Sequence, residues 1–217
     1  MITPAMEDYL KLIYELQELG EAATNSTLAA WLEIAPASVT SMIKRLSKLD
    51  LVDYKPYGGC RLTSKGERLA LKIVRYHRLI ESFLTEVLGV PWDRVHKEAH
   101  QLEHAISEYL AERIANMLGD PAKDPHGHPI PDKNGRVGIN RLKKLSAFDA
   151  AQSVVIACVD DENPDLLRYL GDLGLYPDTA VEVVGREPFG GGIRVRVGGR
   201  EHALGSQAAG HVWVRVP

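Results

Sequence analysis

The chain has 217 residues, 45% of them hydrophobic and 25% charged, with a formal net charge of −3. That balance gives room for one large domain or two to three small ones and excludes a disordered chain. Two cysteines, Cys60 and Cys158, are too few for a disulfide framework, and the start MITPAMEDYL lacks a basic stretch followed by an apolar block, so a cytoplasmic protein without a membrane span is expected.

From the N-terminus, Thr3 offers a cap, Pro4 suits the first helical position, and Met6, Tyr9, Leu10, Ile13, Leu16 and Leu19 recur at helical spacing as far as Gly20. Asp8 lies off that apolar stripe. A second helix is predicted from Asn25 or Ser26 through TLAAWL. After the turn IAPASV a third opens at Pro36 and carries Val39, Met42, Ile43, Leu46 and Leu49. Two short helices joined by a tight turn predict a helix-turn-helix. LVDYKPYGGCRLTSKG then reads as strand, Gly-Gly turn, strand and the start of a helix at Thr63 or Ser64, which makes a β-hairpin wing.

A fourth helix is predicted from about Ser64 to Gly89, and a fifth from about Trp92 through HKEAHQLEH to Gly119. Their apolar stripes (Ile73, Ile80, Phe83, Leu84, Val87; Ile106, Leu110, Ile114, Met117) exceed what so small a domain covers, which predicts a homodimer. DPAKDPHGHPIPDKNGRVG holds four prolines and reads as a loop. From about Ala151 the period changes to two in SVVIACV, AVEVVGRE, GIRVRV, REHALG and HVWVRV, with one short helix at PDLLRYLGDLG, as in an SH3-like β-barrel. The expected fold is mainly α with a small β domain. It comprises a winged helix-turn-helix DNA-binding domain (1–72), a helical metal-binding and dimerisation domain (73–138), a linker (139–150) and a C-terminal SH3-like β-barrel (151–217).

Between Lys44 and Arg78 the chain carries ten basic residues (44, 45, 48, 55, 61, 65, 68, 72, 75, 78) against three acidic ones (50, 53, 67). That local excess suits a polyanion despite the negative total. On the third helix Ala37, Ser38, Thr40, Ser41, Lys44, Arg45 and Lys48 fall on the polar side, small residues first and basic ones after. This is the gradient that a recognition helix presents to base edges and phosphates. Asn25 and Ser26 before it, and Lys55 and Arg61 on the wing, are candidate phosphate contacts.

In HKEAHQLEH, one helix would place His96, His100, Glu103 and His104 within an arc of roughly 100°. Imidazole and carboxylate are ordinary ligands of divalent transition metals. The fourth helix adds His77 and Glu81 four residues apart, and the first adds Asp8, so two metal sites become possible if these helices pack together. Two other readings compete. His100-x-x-Glu103-His104 matches the H-x-x-E-H pattern of a zinc metallopeptidase. Alternatively, the histidines are structural parts of a metal-independent winged-helix regulator. The adjoining winged helix favours a DNA-binding protein over an enzyme.

TPAMEDYLKLIYEL, the winged helix with PASVTSMIKRL and LTSKG, YHRLIESFL, and VHKEAHQLEHAISE together resemble the diphtheria toxin repressor family of metal-dependent transcriptional regulators over about residues 2 to 130. The C-terminal segment is similar to that family's SH3-like domain. The resemblance implies a primary metal site of Asp8, His100, Glu103 and His104. It also implies an ancillary site of His77, Glu81 and His96, completed by a carboxylate from the SH3-like domain: Glu162, with Asp161 and Asp165 as rivals. Asp8 in the setting M-E-D-Y matches the manganese-responsive members, whereas iron-responsive members have methionine there. Position 100 is cysteine or glutamate in those groups and histidine here. Lys11 replaces a second acidic residue that supports a paired two-metal arrangement in some manganese members.

A donor set of oxygen and imidazole without sulfur favours Mn(II), then Fe(II), with Co(II), Ni(II), Zn(II) and Cd(II) as substitutes in vitro. His126 and His128 in DPHGHP read as a polar loop tip, although some manganese-responsive relatives place ligands in that loop. The implied function is a metal-activated repressor that binds palindromic operators as a homodimer and controls metal-homeostasis genes, with no small organic substrate.

Overall fold

A computed structural model of the chain describes residues 2–55, 58–138, 142–149, 152–188 and 191–216. The chain divides into two compact units, residues 1–76, 103–105 and 131–136 in one and residues 77–102, 106–130 and 137–217 in the other. Among the described residues no helix is long and apolar enough to cross a membrane.

The first unit begins with α1 (Pro4–Glu18), whose first turn is closed by the Thr3 carbonyl accepting from the backbone N–H groups of Met6 and Glu7. Its predicted stripe is the buried one: Met6, Leu10, Ile13 and Leu16 are fully enclosed. α2 (Asn25–Trp31) is capped by the Thr24 hydroxyl, which accepts from the Thr27 N–H, and α3 (Pro36–Lys48) buries Val39, Ile43 and Leu46. The wing is an antiparallel pair, β1 (Val52–Lys55) and β2 (Gly59–Leu62), in register Val52 with Leu62 and Lys55 with Gly59. Gly59 is held at φ +78°, and a Cβ there would lie 2.8 Å from the Ala23 carbonyl oxygen. Only glycine lets the returning strand press this closely on the chain before α2. α4 (Ser64–Glu86) starts in this unit and runs into the next.

The second unit corrects the predicted fifth helix. Instead of one helix from Trp92 to Gly119 there are two, α5 (Val95–Leu102) and α6 (Glu108–Met117). The break has a local cause, because the Ser107 hydroxyl accepts from the Leu110 N–H at 3.2 Å and so starts a new helix. The intervening Glu103–Ala105 segregates with the first unit. Leu79, Ile114, Ala115 and Ile130 form one small core, and Ile80, Leu84, Val95 and Ala99 form another. Much of the stripe expected to face a partner is therefore used within the chain. Leu102, Tyr109, Leu110 and Met117 remain exposed.

The C-terminal strands are β3 (Lys143–Lys144), β4 (Gln152–Val159), β5 (Ala180–Arg186), β6 (Ile193–Val197), β7 (Arg200–Leu204) and β8 (Val212–Arg215). They form an antiparallel sheet in the order β3-β8-β4-β5-β6-β7. Alternate residues such as Val181 and Val183, Ile193 and Val195, and Val212 and Val214 point into one core with Leu167 and Leu170 of α7 (Pro164–Asp172). The stretch 139–150, expected to be linker, contributes to this domain: β3 pairs with β8, and Leu145 and Phe148 are buried in its core. Ile139, Asn140, Arg141 and Ala150 of that stretch lie outside the described residues.

Candidate metal centres and nucleic-acid surface

The first centre lies in the first unit, between α1 and the Glu103–Ala105 segment. His104 stands between two consecutive residues of α1, its Nδ1 2.7 Å from Oε2 of Glu7 and its Nε2 2.8 Å from Oδ1 of Asp8. Glu103 Oε1 lies 3.4 Å from the same Nε2. A carboxylate can only accept, so a proton on Nδ1 suits Glu7, and in that tautomer Nε2 turns a lone pair toward Asp8 and Glu103. Asp8 Oδ1 is buried with no hydrogen-bond partner. Lone pairs facing one another in this way repel, and a cation shared between them reverses the sign. Asp8, Glu103 and His104 each place a ligand atom within 4.8 Å of the others, so they fit a divalent metal ion.

The other carboxylate oxygen of Glu103 is already held. Lys11 Nζ, one turn along α1 from Asp8, sits 3.0 Å from Glu103 Oε2, and both side chains are buried. His100 is carried on α5 by the second unit and is exposed. The metallopeptidase pattern needs a helical turn linking His100 and His104 and a glutamate available to activate water. Here α5 ends at Leu102, and Glu103 is ion-paired to Lys11.

The second centre lies wholly within the second unit. α4 presents His77 and Glu81 on one face, α5 presents His96, and the turn after β4 presents Asp161. Glu81 is completely buried, with its Oε1 2.9 Å from His77 Nε2 and 3.2 Å from His96 Nδ1. An overlapping set of ligand atoms comes together from Glu81, Asp124, His126 and Asp161. The two sets therefore share Glu81 and Asp161. Glu81 Oε2, Asp124 Oδ2 and His126 Nδ1 are buried without a hydrogen-bond partner. Since His126 Nε2 meets the Trp92 carbonyl oxygen at 2.7 Å, Nε2 carries a proton and Nδ1 faces Glu81 and Asp161, where it offers a lone pair to a metal that displaces its proton. These orphaned atoms fit a divalent cation.

The proline-rich loop is built to deliver those residues. Asp124 Oδ1 accepts from the backbone N–H groups of His126 and His128, each at 2.9 Å, which curls the loop around one carboxylate. Gly127, at φ +92°, passes so close to β4 that a Cβ would lie 2.1 Å from the Ala157 carbonyl oxygen, and the Val159 N–H donates to the His126 carbonyl at 3.0 Å. From α4, Arg78 Nη1 donates to the Pro129 carbonyl at 2.6 Å, and its Nε approaches Asp124 Oδ2 at 3.5 Å. The expected polar loop tip is thus wrong for His126, which is fully buried.

Electrostatics tie the second centre together. Burial alone would raise the Glu81 carboxyl, but the His77 charge, the nearby His126 and hydrogen bonds from His77 and His96 hold it well below the usual carboxylate range. Asp161 is held low in the same way, burial being outweighed by the charge and hydrogen bonds of His128 and His96. Burial pulls His96 and His126 down, yet hydrogen bonds and charge from Asp161 and Glu81 push His96 up to about 11. Glu81 in turn, with Asp161 and Asp124, pushes His126 up to about 9. His128 is raised well above its ordinary value against burial, by Asp124 and Asp161.

Asp161, rather than the expected Glu162, is the carboxylate that this geometry favours. Its Oδ2 lies 3.6 Å from His96 Nδ1, 3.6 Å from His126 Nδ1 and 3.5 Å from His128 Nδ1. Glu162 comes within 3.6 Å of His96 Nε2 from a half-exposed position, and Asp165 pairs with Arg168 at the start of α7. Burial follows the same order, with the Asp161 side chain 17% exposed and that of Glu162 51%, while Asp160 is paired with His211.

In the first unit, Ser26, Ala37, Ser38, Ser41, Lys44, Arg45, Lys55 and Arg61 are all exposed. Asn25 Nδ2 donates to Thr40 Oγ1 at 2.8 Å, and Thr40 Oγ1 donates to the Pro36 carbonyl, so these two candidates are fixed in place. Two basic residues counted in the footprint do not belong to it. Arg75 is buried and donates to the Pro131 carbonyl at 2.8 Å, and Arg78 is bound to the loop around Asp124.

Comparison with known proteins gives three family matches along the chain. Residues 1–60 match the family described as iron dependent repressor, N-terminal DNA binding domain, and residues 63–132 match iron dependent repressor, metal binding and dimerisation domain. Residues 143–216 match the FeoA domain. The iron-dependent repressor IdeR of Mycobacterium bovis is 32% identical over 208 residues, 90% of each chain. The HTH-type transcriptional regulator MntR of Oceanobacillus iheyensis is 38% identical over 118 residues, 54% of this chain and 80% of that one. A solved structure described as a manganese-dependent transcriptional repressor complex with manganese is similar with a TM-score of 0.93 at 38% identity, over 98% of this chain and 100% of that one.

Proposed function

The chain belongs to the diphtheria toxin repressor family of metal-dependent transcriptional repressors, and on that premise we propose that it is a manganese-activated member that binds palindromic operators as a homodimer and controls metal-homeostasis genes. The observation that carries the choice of metal is the donor set. Asp8, Glu103 and His104 offer oxygen and imidazole without sulfur, which suits Mn(II) first and Fe(II) second. Co(II), Ni(II), Zn(II) and Cd(II) bind the same atoms in vitro, because affinity alone places manganese last.

In this reading Asp8, Glu103 and His104 hold one ion, with His100 as the fourth ligand. His77, Glu81, His96 and Asp161 form the ancillary centre, extended by Asp124 and His126, with Glu162 at its rim. The bound ion supplies two positive charges and directed coordination bonds. Asp8 then ties α1, and with it the winged helix, to the segment that leads into α6. In the dimer this fixes the two α3 helices about one DNA turn apart, roughly 34 Å. Without that tie the dimer samples other spacings and binds DNA non-specifically. Ala37, Ser38, Thr40 and Ser41 face base edges, while Asn25, Ser26, Lys44, Arg45, Lys55 and Arg61 hold phosphates. Leu102, Tyr109, Leu110 and Met117 supply exposed apolar area for the two-fold contact.

Metal and operator affinity are then reciprocally coupled. Anaerobic titration with Mn(II) and with Fe(II), reading metal stoichiometry and operator affinity together, tests the proposal. Tighter operator binding on loading supports it, with Mn(II) effective at the lower free concentration. Operator affinity that ignores both metals and is unchanged by chelator contradicts it.

A further inference from the structure

We propose that Glu7 is a positioning residue of the first centre, holding the His104 ring with its proton on Nδ1 so that Nε2 stays open to the metal. The inference rests on the reading of Asp8, Glu103 and His104 as metal ligands. Glu7 and Asp8 are neighbours in sequence and lie about 100° apart around α1, yet both reach one imidazole because His104 stands over the helix edge between them. Nδ1 faces Glu7, and Nε2 faces Asp8 with Glu103 beyond it. The Nδ1–Glu7 contact, at 2.7 Å, is a well-formed charge-assisted hydrogen bond, whereas Asp8 Oδ1 has no hydrogen-bond partner although Nε2 is 2.8 Å away.

The carboxylates on the two sides of the ring therefore compete for its proton, and Glu7 holds it at Nδ1. With Glu7 removed, Asp8 and Glu103 are the carboxylates left beside the ring. The proton then moves to Nε2 and closes the donor pair that a metal needs. A carboxylate that accepts the outer N–H of a ligating histidine fixes its tautomer and orientation and raises its basicity. Glu7 also links α1 to the Glu103–Ala105 segment through a bond that needs no metal.

The test uses the full chain carrying Glu81→Gln, which silences the second centre, with Glu7→Ala and Glu7→Gln added separately. Glutamine keeps an acceptor for Nδ1–H and loses only the charge. Two quantities are read: the Mn(II) dissociation constant from competition with a chelating dye, and the 15N shifts of His104 in the metal-free protein. We expect Glu7→Ala to weaken Mn(II) binding by ~10–100-fold, the usual effect of losing such an outer partner, and to move the His104 proton to Nε2. Glu7→Gln is expected to keep the Nδ1–H tautomer and most of the affinity. Glu7→Ala with unchanged tautomer and affinity overturns the proposal, as does Glu7→Gln behaving like Glu7→Ala. Adding Asp8→Ala separates the two readings: if it leaves Mn(II) affinity unchanged, the first centre itself fails, whatever Glu7 does.

Discussion

Lys11 and Glu103, 92 positions apart in sequence, meet as a buried ion pair with Nζ 3.0 Å from Oε2. The pair engages one oxygen of a proposed metal ligand and leaves the other facing His104. Removing one partner of a buried pair typically costs about 3–5 kcal/mol, because the remaining charge stays buried without compensation. Lys11→Met therefore lowers the melting temperature of the metal-free protein, and Mn(II), by neutralising Glu103, restores more stability than it adds to wild type. Thermal melts with and without Mn(II) measure both. Equal metal-induced shifts in the two proteins refute the prediction.

Glu81 and Asp161 belong to both ligand sets of the second centre. Glu81→Gln is thus expected to abolish metal binding by both, whereas His77→Ala removes a ligand of one set and His126→Ala of the other. Counting bound Mn(II) by elemental analysis after equilibrium dialysis distinguishes these. If His126→Ala leaves the count and affinity of wild type intact, the loop does not supply a ligand.

The pH dependence of the second unit follows from its histidines. His126, at about 9, and His96, at about 11, stand above the ordinary value, so their stabilising contribution is complete below about 6.5 and is lost as pH rises through those values. Glu81 and Asp161 are lowered, so theirs is present above the ordinary carboxylate range and is lost as pH falls toward their depressed values. Metal must displace the histidine protons, so Mn(II) affinity rises across the window from about 6.5 to 9 in which the metal-free protein loses stability. Melts and Mn(II) titrations over that window check both signs. A metal affinity that falls with pH contradicts the account.

On the DNA-binding surface, exposed and buried basic residues separate two effects. Lys44→Ala is expected to weaken binding to all sequences alike and to reduce the salt slope by about 1, as loss of one phosphate contact does. Arg75→Ala, which loses the bond to the Pro131 carbonyl, is expected to lower stability and leave the salt slope unchanged. Operator titrations at several salt concentrations decide between them.

Local sequence carried much of this. Period-3.6 stripes located α1 to α4, period-two runs located β4 to β8, and small-then-basic residues marked α3, because each pattern repeats within one element. What escaped depends on tertiary approach or on one side chain's bonding. Ser107 ends the predicted long helix by capping, a choice that the apolar periodicity running through it conceals. His126 looks like a loop residue until Gly127 lets the backbone press on Ala157 and buries it. Asp161 and Glu162 are chemically near-equivalent in sequence, and only the folded turn after β4 brings Asp161 Oδ2 close to three histidines. Glu7 sits beside an evident ligand and carries no signal of its own, since its partner His104 is 97 residues away.

The central claim is that metal held through Asp8 licenses operator binding. Fluorescence anisotropy of a labelled palindromic promoter, with wild-type and Asp8→Ala proteins in excess Mn(II) and in chelator, tests it most directly. The account predicts tight, Mn(II)-dependent binding by wild type and weak, metal-indifferent binding by Asp8→Ala. Equal affinity of the two proteins in both conditions would contradict it.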